Sequence, residues 1–102
     1  MIITEQGCCG RCGSVITNIS LEFSKRPDRE YCLYKYSGKC GACMKKCVNH
    51  AFECTEQGVV YDRYKCNEQI YEKIVPVYPI GTGDACGKCM CGLPCSLGIP
   101  EV

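Results

Sequence analysis

The chain has 102 residues, a formal net charge of +1 and an apolar fraction of 46% that includes 13 cysteines. With two Phe, no Trp, 11 Gly and 5 Pro, a single small domain of this length has a thin core of ordinary side chains, so disulfides or metal are expected to tie it together. The odd number of cysteines excludes a closed framework of disulfides without one thiol over, and no apolar stretch approaches the length that crosses a bilayer.

The opening Met1-Ile-Ile-Thr-Glu-Gln-Gly7 lacks a basic leader followed by a long apolar run, so a cytoplasmic, reducing setting is expected, with the cysteines as metal ligands. Ile2 to Thr4 is a short β-prone run. Gly7-Cys-Cys-Gly-Arg-Cys-Gly13 is a cysteine-rich loop, and its Cys8-Cys9 is expected to be an exposed pair, open to oxidation in air. Val15 to Phe23 alternates in its second half, with Ile19, Leu21 and Phe23 on one face, which predicts a strand. Lys25 to Glu30 is a polar turn with Pro27 inside it. Tyr31 to Tyr36 leads through Ser37-Gly38 into Cys40-Gly-Ala-Cys43-Met-Lys-Lys-Cys47.

Ala42 to Asn49 predicts two helical turns. Ala51 to Tyr61 predicts a hairpin turning at Glu56-Gln-Gly58, with Val59 to Tyr61 as its second strand. Asp62 is a natural N-cap for a helix running to about Ile74, on which Cys66, Ile70 and Lys73 or Ile74 fall at helical spacing. Pro76 and Pro79 end that helix, and Ile80 to Asp84 is a loop. Its Gly81-Thr-Gly83 lacks the remainder of a phosphate-binding motif. Asp84 is placed to cap a short helix through Cys86-Gly-Lys-Cys89, and Pro94 and Pro100 make the tail irregular.

The organising fact is an echo. One half reads Cys32, seven residues, Cys40-x2-Cys43-x3-Cys47; the other reads Cys66, nineteen residues, Cys86-x2-Cys89-x5-Cys95. A C-x2-C turn presents two sulfurs to neighbouring irons of a 4Fe–4S cube and turns backbone N–H groups toward it. In two-cluster ferredoxins the last cysteine of each motif crosses to the other cluster. Applied here, Cys32, Cys40, Cys43 and Cys95 hold cluster 1, and Cys47, Cys66, Cys86 and Cys89 hold cluster 2. Two 4Fe–4S clusters then staple the halves together and supply the folding energy that the thin core lacks.

Cys8, Cys9, Cys12, Cys54 and Cys91 are left over; some are expected to be buried thiols near the clusters. Cys91 competes with Cys89 as a ligand, and Cys12 or Cys54 with Cys32. Two oxidised four-thiolate clusters of about −2 each would bring the net charge to about −3. Beside them, Lys39, Lys45 and Lys46 read either as charge compensation or as a solvated face.

The alternative is zinc, because paired C-x2-C knuckles also mark zinc ribbons. It leads to a zinc-bound structural or nucleic-acid and protein interaction module. The trailing cysteines, which a crossing arrangement explains, favour iron–sulfur. The lone His50 reads as a surface or capping residue. Tyr31, Tyr34 and Tyr36 are expected to pack over a cluster or in the small core, not to stack bases, so direct nucleic-acid binding is not expected. No Ser/His/Asp set, carboxylate pair, Walker loop or dinucleotide fingerprint is present.

Cys32-Leu-Tyr, Gly38-Lys-Cys40-Gly-Ala-Cys43-x3-Cys47, Tyr64-Lys-Cys66 and Cys86-Gly-Lys-Cys89-x5-Cys95-Ser together resemble the C-terminal two-cluster ferredoxin module of epoxyqueuosine reductase-like proteins, particularly forms from anaerobic bacteria. Ile3-Thr-Glu-Gln-Gly7 and Gly13-Ser-Val-Ile-Thr17 are similar to the segment that joins that family's catalytic domain to its cluster module. The resemblance covers nearly the whole chain. It implies the same eight ligands and electron delivery to a cobalamin held by a separate, larger domain that reduces epoxyqueuosine in tRNA. Nothing in these residues replaces that domain, so no catalytic residue is carried over. Val48 stands where cradles of this type usually have Pro.

The expected fold is small α+β, a ferredoxin-like two-cluster domain with short helices, a few short strands and much loop. Residues 1–30 are expected as a strand and loop segment packing on the cluster module of residues 31–102. The expected function is electron transfer, as a free carrier or a redox module. Its partner would be a redox protein or a cobalamin-binding reductase domain, and no membrane is involved.

Overall fold

The computed structural model describes residues 1–78, 80, 81 and 83–102; the helix stop expected at Pro79 and the middle of Gly81-Thr-Gly83 lie outside them. The protein is of mixed α/β type, with one two-stranded antiparallel sheet and short helices. The chain divides into two compact units. One comprises Met1–Cys40 with Pro94–Val102, the other Gly41–Leu93.

In the first unit, Thr4 and Gly7 close a tight turn through Thr4 N–H to Gly7 O (3.1 Å) and Gly7 N–H to Thr4 O (2.9 Å). The chain then runs beside the C-terminal segment: the Cys8 and Cys9 amides donate to the carbonyls of Cys95 (2.8 Å) and Ser96 (3.0 Å). The strand expected over 15–23 does not form; Ile16 and Phe23 are fully exposed. Alternation is a half-buried strand's signature, but a strand needs a partner edge, and no sheet of the described residues pairs with this segment. Helix α1 (Leu33–Ser37) was not expected from sequence. It starts at Cys32 and ends on Gly38, whose φ of 72° is the left-handed stop that glycine adopts without strain. The Arg29 guanidinium lies 5.8 Å from the Tyr31 ring centre and 5.6 Å from that of Tyr36, and also donates to the Pro100 carbonyl (3.2 Å). It thereby ties the start of α1 to the tail.

In the second unit, α2 (Ala42–Lys45) is one turn, shorter than the two expected. Strands β1 (Phe52–Thr55) and β2 (Gly58–Tyr61) form the expected hairpin, with Phe52 opposite Tyr61 and Thr55 opposite Gly58. The rings of Phe52 and Tyr61 stand 5.3 Å apart, the cross-strand aromatic pair that sets a short register. Helix α3 (Arg63–Glu68) starts at Asp62 as expected. The Asp62 carboxylate accepts the amides of Tyr64 (2.9 Å) and Lys65 (3.2 Å). The helix widens to π geometry over Gln69–Ile74 and tightens to 3₁₀ over Val75–Val77, where Pro76 sits. Cys66, Ile70 and Ile74 are half-buried along it, whereas Lys73 is exposed and donates to Asn49 Oδ1 (2.8 Å). The short helix expected through Cys86–Cys89 is absent. Gly87 and Gly92 take φ of 70° and 63°, and the segment folds as turns closed by Met90 N–H to Gly87 O (3.0 Å).

Apolar burial is as scant as the composition requires. Among the described residues, the buried positions are Gly7, Cys8, Gly41, Ala51, Leu93, Ser96 and Pro100, and no large side chain is fully buried. Domains of this size ordinarily depend on a contiguous apolar core or on a staple. No helix of the described residues is long and apolar enough to cross a membrane.

Candidate metal centre

Cys47, Cys66, Cys86 and Cys89 all belong to the second unit, brought there by four different pieces of local structure. Cys47 follows α2, Cys66 lies on α3, and Cys86 and Cys89 flank the Gly87 turn. Each is half-buried. The Cys89 thiol is pushed up first by burial, and then by the fields of Cys47, Cys66 and Cys86. Those fields reach Cys89 because the three cysteines lie on its side of the unit, and Coulomb interactions fade with distance and screening. Half-buried thiols held in one compact unit are a donor set that a multivalent cation suits.

Two neighbours point polar hydrogens at this group. The Ala51 amide donates to Cys47 Sγ at 3.3 Å. It is held there by His50, whose φ of 49° turns the chain and whose N–H bonds the Cys47 carbonyl (3.2 Å). The Tyr61 phenol is pushed up to about 12, first by its hydrogen bond to Cys66, then by burial and the charges of Cys66, Cys89 and Cys47. Such outer partners orient thiolates and offset their charge. His50 is exposed and serves the turn. Lys46 spans the loop, donating to the carbonyls of Cys91 (2.8 Å) and Gly92 (3.0 Å); Lys39 and Lys45 are exposed.

Of the other four expected ligands, Cys32, Cys40 and Cys95 lie in the first unit and Cys43 in the second. Cys32 occupies the N-cap position of α1, and its amide donates to Glu30 Oε1 (3.3 Å). Cys40 has a φ of 90°, a costly conformation for a residue with a side chain, of the kind retained at functional sites. The Cys95 thiol is pushed up to about 11 by burial first, then by a hydrogen bond and charge interaction with Cys8, with a smaller contribution from Cys32.

Cys8 departs from its expected place in an exposed pair: it is 4% exposed, its sulfur 3.7 Å from that of Cys95. A loop reading of residues 7–13 gave no sign of this, since the cover comes from residues 95–98. Cys9, Cys12, Cys54 and Cys91 are exposed, and Cys54 Sγ lies 3.7 Å from Met44 Sδ. None of the thirteen cysteines is in a disulfide.

Among the described residues, no three His, Cys, Asp or Glu side chains gather tightly enough for a single metal ion. A tetrahedral zinc with Zn–S of about 2.3 Å draws its sulfurs to about 3.8 Å from one another. A cube presents its irons at separate corners and takes thiolates spaced more widely. The half-buried sulfurs, the amide on Cys47 and the phenol on Cys66 suit metal binding. Comparisons with protein-family models, with curated proteins and with solved structures find no match.

Proposed function

We propose that the protein carries electrons through two 4Fe–4S clusters, as a ferredoxin-type carrier or as the electron-delivering module of an epoxyqueuosine reductase-like enzyme. The observation that supports it is that Cys47, Cys66, Cys86 and Cys89, the four cysteines that the crossing pattern assigns to cluster 2, are all half-buried in one compact unit, with the Ala51 amide on the Cys47 sulfur. By their spacing along the chain, Cys32, Cys40, Cys43 and Cys95 are the ligands of cluster 1. A bound cluster supplies one reversible electron at a potential set by hydrogen bonds to the sulfurs and by exposure. The chain's own part is to hold the thiolates and offset their charge. Ala51 N–H supplies a dipole at Cys47, the Tyr61 phenol supplies one at Cys66, and the Asp62 cap fixes the helix that carries Cys66. The acceptor is a redox protein or a cobalamin-binding reductase domain of the kind the resemblance implies.

Metal analysis tests this. Protein purified without air is expected to be brown and to hold about eight iron and eight sulfide per chain, losing about half the iron in Cys89→Ser and none in Cys54→Ser. About two zinc and no sulfide would overturn the reading in favour of a zinc module.

A further inference from the structure

Cys8 stands outside both ligand sets, yet it is the most enclosed cysteine of the first unit, where Cys9, Cys12 and Cys40 are exposed. Its partner is fixed by backbone. Cys8 N–H to Cys95 O (2.8 Å) and Cys9 N–H to Ser96 O (3.0 Å) lock the two segments side by side. Gly7 lies so close to the backbone of Ser96 and Gly98 that a Cβ has no room. The Thr4–Gly7 turn, reinforced by Thr4 Oγ1 donating to Gly7 O (3.0 Å), anchors the near end. A disulfide has an S–S length of about 2.05 Å. From 3.7 Å the sulfurs need close only about 1.7 Å, a distance that side-chain rotation supplies on a backbone already aligned.

We propose that Cys8 and Cys95 are a reversible thiol–disulfide pair, in which Cys8 captures Cys95 as a disulfide whenever Cys95 holds no iron and a small peroxide is present. The guarding role rests on the cluster reading; the pairing does not. Hydrogen peroxide oxidises one of the two sulfurs to a sulfenic acid, its O–O bond breaking and one water leaving. The other sulfur attacks the sulfenic sulfur; the S–S bond forms, the S–O bond breaks and a second water leaves. In all, two thiols give up two protons and two electrons and the peroxide becomes two waters. A thiol reductant reverses the step, whereas Cys95 without this neighbour would proceed to the irreversible sulfinic acid.

The test uses the full chain, stripped of metal by chelation without air, reduced, and treated with equimolar hydrogen peroxide. Peptides are then mapped by mass spectrometry with fragmentation to the residue. The expected result is a Cys8–Cys95 cross-link as the main product involving Cys95, absent in Cys8→Ser, retained in Cys9→Ser and removed by dithiothreitol. Cys95 joined chiefly to another cysteine, or oxidised without cross-linking, overturns the proposal. In a second arm the chain is loaded with iron and sulfide before peroxide, and the cross-link is expected to fall at least tenfold. Iron uptake with no such fall overturns the guarding role while leaving the pair. Failure to take up iron at all defeats the cluster reading, and the pair then stands or falls on the metal-free arm alone.

Discussion

The amide of Ala51 donates to the sulfur of Cys47 at 3.3 Å, and it does so because His50 between them adopts a left-handed backbone with φ of 49°. The same turn places His50 N–H on the Cys47 carbonyl. A side chain at positive φ costs about 1–2 kcal/mol, which glycine avoids. His50→Gly is therefore expected to leave iron content unchanged and to keep or raise the denaturation midpoint. His50→Val, β-branched at the same φ, is expected to cost about 2 kcal/mol and to lower iron retention. Chemical denaturation and iron analysis of the two variants check this; equal behaviour would remove the turn from any part in holding Cys47.

The Tyr61 phenol, pushed up to about 12 by its bond to Cys66, gives a pH dependence to the metal-free chain. A raised folded-state value means that the folded state keeps its proton where the unfolded state has lost it. The contribution is thus complete below about pH 10, the ordinary tyrosine value, and is lost as pH rises from there through about 12. Tyrosinate absorbance is expected to show a late step near pH 12, and Tyr61→Phe is expected to abolish it.

Gly7 meets the backbone of Ser96 and Gly98 at a φ of 90°. In Gly7→Ala the strained φ alone costs about 1–3 kcal/mol, and the added methyl drives the segments apart. The expected sign is a rise of at least tenfold in the rate at which iodoacetamide labels Cys8, read by peptide mass spectrometry. An unchanged rate would show that Gly7 does not govern the cover over Cys8.

Asp62 satisfies two amides that would otherwise be orphaned at the start of the helix bearing Cys66. Asp62→Ala is expected to cost about 1 kcal/mol and Asp62→Asn much less. The check is the midpoint of metal-free unfolding, together with the iron bound at limiting iron supply. Loss in both variants alike would assign the effect to charge and not to capping.

The elements legible in the sequence were those closed by near neighbours. The hairpin over 52–61 needs only its own two-residue turn, and α3 needs only Asp62 and a periodic face. The misread segments depended on distant or absent partners. The 15–23 segment pairs with no strand among the described residues, and the Cys86–Cys89 segment bends at Gly87, whose positive φ breaks a helix. Helix α1 carries no strong start signal, and it is braced by Arg29 reaching to Pro100 far along the chain.

By itself the sequence determined that this protein cannot rest on an ordinary core, and which cysteines the C-x2-C pattern nominates. Spacing along the chain carries that much because adjacent ligands are presented by one turn. Only the tertiary structure decided that Cys47, Cys66, Cys86 and Cys89 are half-buried within one compact unit, and that Cys8 is buried against Cys95. Those are through-space relations. A thiol's burial and its neighbours' charges are set by where the chain returns, and no count of intervening residues contains that distance.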